Sequence, residues 1–371
     1  MPIDVTGGFQ PKGNIKKICS ELTALRTHKD GGIDISLQDL LRQKYEMKAE
    51  FSNGHVMSKF FGDIGIEPHR MTIKQLLELP DEDYHFLVPE IIREAIRTSF
   101  VQTPWYTKLI AAQETVAQPT VTMPKINLST ATPEALKQAE TISEGTVSYG
   151  QKEVKISKIG IGISITDEVK DYVKLSLLAI YLQDVGARLG VKLQNNFADT
   201  LINGDQADSS ESAAVIGVKT PGSKLQYVDE LAVYIRMSLL NRIPNSVLTN
   251  ETQANHLLNL SEHKQPYSGQ VIMPAKLETP LPVNESVYVT GRVPSGQYIY
   301  LDPRFGVVQL TSRPLMIEND RNIKKQISES VATITTGFAI IHRNARVIVD
   351  ETKDIAVNGF DANTWMVPVE D

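Results

Sequence analysis

The chain has 371 residues, a length for two or three domain-sized units, and its 41% hydrophobic and 22% charged residues match ordinary globular usage. That composition excludes a disordered or collagen-like protein. The net charge of −6, from 38 Lys and Arg against 44 Asp and Glu, favours solubility and argues against a dedicated nucleic-acid binder, whose basic footprint would dominate.

In chain order, residues up to about Asp83 read as short helices joined by breakers. Asn14 caps a helix with Ile15, Ile18, Leu22 and Leu25 on one face, spaced three, four and three. Gly31 and Gly32 break the chain, and Ser36 then caps Leu37, Leu40, Leu41 and Tyr45. Thr72 precedes Ile73, Leu76, Leu77 and Leu79, and Pro80 stops that piece. Helices this short are marginal alone and must dock, as a helical subdomain or as an arm or scaffold segment. Pro89 suits the first turn of a helix carrying Ile91, Ile92, Ala95 and Ile96.

From about Ala117 to Gln151 the chain is rich in Pro, Ser and Thr between two β-leaning edges. The incoming edge is Thr120 to Met123. The outgoing one alternates through Val154, Ile156, Ile159, Ile161, Ile163 and Ile165, with a one-residue irregularity near Lys158 that reads as a bulge. This predicts a long two-stranded excursion, which is hardly stable in water and should lie on a partner.

Thr166 or Asp167 then caps the longest helix, and Leu178, Leu182, Val185, Leu189, Leu193, Phe197 and Leu201 form its apolar stripe. At about 1.5 Å per residue, Leu175 to Asn203 spans roughly 42 Å, and Gly204 ends it. Gly186 and Gly190 mark either close approach of another backbone or tolerated defects.

Asp205 to Pro221 reads as a polar loop. A helix around Val228 to Leu240, a strand at Ser246 to Thr249 and a helix with Ala254, Leu257, Leu258 and Leu260 follow. After a Pro-rich stretch, Val287 to Val289, Tyr298 to Leu301 and Val307 to Leu310 read as strands. Two longer β runs close the chain, Ser328 to Thr336 and Phe338 to Ile341 continuing through Val347 to Val349. Helices and strands mix without βαβ alternation, so the fold class is α+β.

No catalytic constellation is visible. The single cysteine, Cys19, forms neither an internal disulfide nor a thiolate cage. None of the seven histidines forms a His-Glu-x-x-His pair, and His256 and His263 at a helix end read as structural. Gly8 to Asn14 lacks the Lys and Ser/Thr of a phosphate loop, and Gly160 to Ile165 lacks the third glycine of a dinucleotide turn. Asp81, Glu82 and Asp83 read as a solvated turn. No run approaches the roughly 18 apolar residues of a membrane span, and the first ten residues do not read as a secretory signal. The expectation is a soluble, cytoplasmic product that is not an enzyme and needs no cofactor or metal.

The order of parts is more informative than any motif. A helix opens with Leu87-Val88-Pro89-Glu90, and a long hairpin follows with Ile142-Ser143-Glu144-Gly145 on its returning side. A strand ending Ile163-Ser164-Ile165-Thr166-Asp167-Glu168-Val169 then feeds a long helix closing at Asn203-Gly204-Asp205. Over roughly Tyr84 to Asp350 this resembles the major capsid proteins of tailed bacteriophages, the Hong Kong 97-like fold family. The chain differs in having Gly296-Gln297 where relatives often carry Gly-Asp, and Asp350-Glu351 where they have a Pro-Ala pair.

The resemblance implies an N-terminal region at residues 1–83, an N-terminal arm at 84–118 and an extended loop, the E-loop, at 119–158. It further implies a peripheral domain with a spine helix at 159–223, an axial domain at 224–309, and a peripheral return and tail at 310–371. It implies self-assembly through hexamers and pentamers into an icosahedral shell, the capsid of a virion assembled in host cytoplasm. That shell encloses double-stranded DNA without sequence specificity, with scaffold, portal and decoration proteins as further partners and no membrane. Assembly contacts are expected at Pro119, Pro124, Lys125, Lys137 and Glu144 in the loop and at Lys192 on the long helix. Some relatives crosslink a loop lysine to an asparagine; Asn344 is such a type, but crosslinking is not expected here. The rival readings are an encapsulin-type cellular compartment and an enzyme with an unrecognised site. The proline-bearing loop and the additional N-terminal helices favour the viral one.

Overall fold

The computed structural model describes residues 14–26, 35, 37–45, 56–67, 70–79, 87–102, 104–117, 120–127, 146–205, 213–239, 241–261, 286–322 and 324–354. The chain divides into two interleaved compact units. One comprises residues 1–104, 158–192 and 313–336, the other 105–157, 193–312 and 337–371.

In the first unit the short N-terminal helices are α1 (Ile15–Arg26), α2 (Leu37–Gln43), α3 (Val56–Ile64) and α4 (Ile73–Leu77). They form where apolar residues recur at helical spacing, and each turns those residues inward. Ile15, Ile18 and Leu22 of α1 and Leu37 and Leu41 of α2 are fully buried. Thr72 closes a capping box on α4: its hydroxyl accepts from the Gln75 N–H while the Gln75 side chain accepts from the Thr72 N–H. Helix α5 (Leu87–Gln102) packs against α1. Helix α3 has no counterpart in the sequence reading. The Asp81–Asp83 turn, the Gly31 and Gly32 break and the Ser36 cap lie outside the described residues.

The second unit opens with a 3-10 turn at Trp105–Lys108, followed by β1 (Ile110–Thr115), β2 (Thr120–Asn127) and β3 (Thr146–Lys155). Strand β4 (Ser157–Thr166) follows in the first unit. The irregularity expected as a bulge near Lys158 is a hand-over between two strands of different sheets. Strand β3 pairs with β2 in a two-stranded ribbon. Strand β4 is instead the edge of a four-stranded sheet whose other members are β1, β9 (Val307–Asn322) and β10 (Ile327–Ile340), in the order β1-β9-β10-β4. The chain leaves one sheet at Ile156 and enters the other, so a single alternating run serves both.

Thr166 holds the N-cap position of only a six-residue helix, α6 (Asp167–Tyr172), and its side chain makes no capping hydrogen bond there. Val173 then turns extended and Lys174 bridges to Thr72 before the 29-residue α7 (Leu175–Asn203) begins. The cap expected for the long helix therefore belongs to its short predecessor. Gly204, at φ +81°, takes the left-handed conformation that ends α7. All seven stripe residues from Leu178 to Leu201 are buried.

The polar loop expected from Asp205 to Pro221 contains β5 (Ala214–Val218), whose Ile216 and Val218 enter the core. Four further strands are β6 (Ser246–Thr249), β7 (Ser286–Val289), β8 (Gln297–Leu301) and β11 (Arg346–Asp354). With β5 they form a five-stranded sheet ordered β5-β11-β8-β6-β7, covered by α8 (Tyr227–Leu239) and α9 (Glu251–Leu258). Asn250 caps α9 by accepting from the Gln253 N–H at 3.0 Å. The last β runs divide differently than expected. β10 continues through Gly337 to Ile340, and a 3-10 turn at Arg343–Ala345 separates it from β11.

Candidate assembly surface

The β2–β3 ribbon is antiparallel, with Thr120 opposite Lys155 and Asn127 opposite Thr146. Its register jumps between Met123, opposite Lys152, and Pro124, opposite Tyr149. Gly150 and Gln151 are thus extra residues on β3. A proline donates no backbone hydrogen bond, and a bulge beside it is the usual accommodation. Of the expected contacts, Pro124 and Lys125 are neighbours on β2, opposite Tyr149 and Ser148. Pro119, Lys137 and Glu144 lie outside the described residues. The base of the ribbon is anchored: Val154 and Ile156 are buried in a cluster with Val308, Leu310 and Ala339.

Lys192 is exposed on α7. The helix has two contrasting faces. On the inner one, Gly186 meets the backbone of α5, where an added Cβ would stand 2.1 Å from the Ile96 carbonyl oxygen. Close backbone approach is therefore the reason for this glycine. On the outer face Leu177, Ile180, Tyr181 and Val191 are exposed by 44–60%, around an ion pair of Arg188 Nε to Asp184 Oδ2 at 2.7 Å. The apolar stripe expected for this helix leaves these large apolar residues out, although Leu177, Ile180 and Tyr181 stand at three-and-four spacing in the sequence.

Further on, Arg346 Nε, buried, donates to the Leu201 carbonyl in the last turn of α7 at 2.9 Å, and Asp205 Oδ2 accepts from the Ile340 N–H at 3.0 Å. Rings of Trp105, Tyr106, Phe197 and Phe338 pack around the same end at 5.4–6.1 Å between centroids.

A charged cluster sits where β8 leaves the five-stranded sheet. Asp302 is fully buried and receives Arg304 Nε at 3.0 Å and Nη2 at 2.8 Å, together with the N–H groups of Ile243 and Arg304. Burial pushes the Asp302 carboxyl up, but these donors outweigh it and hold it below its ordinary value. The Arg242 guanidinium lies 4.1 Å from the centre of the Phe305 ring, whose other neighbour is His342 at 6.1 Å. Burial, and then the Arg242 charge, lower the His342 pKa from 6.5. His256 contacts the Leu225 carbonyl at 2.8 Å, a structural role. Among the described residues no group of His, Cys, Asp and Glu could hold a metal, and no helix is long and apolar enough to cross a membrane.

No protein-family model and no curated protein matches the sequence. Solved structures do resemble it. A capsid of the cyanophage P-SCSP1u aligns with 66% of this chain and 87% of its own, at 11% identity and a TM-score of 0.48. The capsid of a native GTA particle aligns over 66% and 89%, at 11% identity and 0.48. The holo-SrpI encapsulin complex of Synechococcus elongatus PCC 7942 aligns over 69% and 89%, at 13% identity and 0.47. The capsid of an empty GTA particle and the mature capsid of bacteriophage PhiM1 are similar as well.

Proposed function

We infer that this protein is a shell-forming subunit, the major capsid protein of a tailed double-stranded DNA phage. The observation that supports it most is the sequence of elements from β2 to α7. A two-stranded ribbon leads through β3 and β4 into α6 and a 29-residue helix packed along one face. A two-stranded ribbon is marginal in water by itself. It acquires a stable seat when it lies across a neighbour, and repeated head-to-tail contacts of that kind close into rings. On this reading residues 84–118 are the arm, 119–158 the loop, 159–223 and 310–371 the peripheral part with the spine helix, and 224–309 the axial part. Pro124 and Lys125 on the ribbon and Lys192 on the helix are its candidate contacts, joined by Pro119, Lys137 and Glu144.

Negative-stain microscopy of purified protein tests this reading. Closed shells of uniform size are expected, and DNA inside particles taken from infected cells marks the phage capsid. Uniform shells filled with a protein cargo would make it an encapsulin-type compartment. Protein that stays small at all concentrations would overturn both.

A further inference from the structure

We propose that the outer face of α7 is a two-fold contact, on which a second copy of this chain lies antiparallel along the helix. The face runs from Leu177 to Val191, about 21 Å at 1.5 Å per residue, and it carries four large apolar side chains in the open. Scattered single apolar residues need no explanation; a row of them on one helix face does. The choice of occupant follows from the order of residues. Asp184 and Arg188 stand two residues either side of position 186, so an antiparallel copy centred at that level sets each Asp184 against the other copy's Arg188. The same operation sets Tyr181 against Val191, five residues either side. It sets Ile180 against Lys192, six either side, where the aliphatic stem of Lys192 can cover Ile180. A two-fold contact requires such self-complementarity, because one patch serves both partners. Antiparallel helices also oppose their dipoles favourably. The charged centre and apolar ends are what a second copy matches in both charge and register. This contact is argued from α7 alone and does not depend on the shell reading.

Charge reversal separates this contact from an ordinary intrahelical pair. Asp184→Arg gives a helix whose copies repel at both central positions, and Arg188→Asp does the same with opposite sign. Full-length wild type should sediment as dimers or larger species at low ionic strength. Each single variant should associate at least tenfold more weakly, with its thermal midpoint close to wild type. An equimolar mixture of the two should recover association, since the two central arginines of the first variant then face the two central aspartates of the second. Neither chain of that mixture carries an intrahelical ion pair, so only the contact between copies can produce the recovery. As a second probe, Ile180→Ser with Tyr181→Ser should weaken association without any change of charge. A wild type that stays monomeric at about 100 μM would overturn the proposal, as would single variants that associate normally or a mixture that fails to recover.

Discussion

Gly186 shows how a single residue can be decided by a neighbour remote in sequence. Alanine is the better helix former by about 1 kcal/mol, so helix propensity favours replacing it. The Ile96 carbonyl leaves no room for a Cβ, and Gly186→Ala should instead destabilise by about 1–3 kcal/mol as α5 and α7 are forced apart. Gly62 of α3 is the control: nothing lies within 4 Å of its would-be Cβ, and Gly62→Ala should stabilise by about 0.5–1 kcal/mol. Denaturant midpoints of the two variants should move in opposite directions. At the same scale, His342 titrates lower in the folded chain than its ordinary 6.5, because burial and Arg242 oppose its charge. The folded state then binds fewer protons than the unfolded one just below that pH. Stability should therefore be fullest above about pH 6.5 and fall as pH drops through the window beneath it. His342→Asn should flatten that slope, measured by urea melts from about pH 7.5 down to about pH 5.

At the level of elements, α7 makes a one-sided claim. Leu189 on the inner face is 2% exposed, and Leu189→Ala should cost about 2–5 kcal/mol if the cavity cannot collapse. Lys192 is exposed, and Lys192→Ala should change folding by no more than about 0.5 kcal/mol. Equal midpoints for the two in unassembled protein would mean that the helix packs on neither face. The stripe itself is legible because seven residues repeat at helical spacing, which leaves little freedom about which face turns inward. The boundary before it is not. Thr166 carries a good cap signal, and only the pairing of Thr72 with Lys174 and the hydrogen bond from the Leu175 N–H to the Met71 carbonyl split the run into α6 and α7.

For the whole molecule, the ribbon and the compact units should separate experimentally. Replacing residues 119–150 with a short Gly/Ser linker keeps Val154 and Ile156 in their cluster, so cooperative unfolding of the monomer should shift little. Shell formation should be lost, and normal particles by electron microscopy would remove the ribbon from the assembly role.

Local pattern was enough for the α+β class, the inner faces of α1, α2, α4, α5 and α7, and a two-stranded excursion that sets out at Thr120, though not for its returning strand, which is Thr146–Lys155. These follow from periodicity, capping residues and breakers, which act within a few residues of each other. Only the folded chain shows where one alternating run changes sheets at Ile156. It also places β5 inside a polar stretch and carries β10 through Gly337. Strand pairing joins residues far apart in the chain, as Val347 joins Ala214 on one side and Tyr300 on the other, and no local pattern records which partner a strand will meet. The outer face of α7 lies between these cases. Its spacing is readable, but exposed and buried apolar residues look alike in sequence, and only packing distinguishes the face that the fold covers from the face left open.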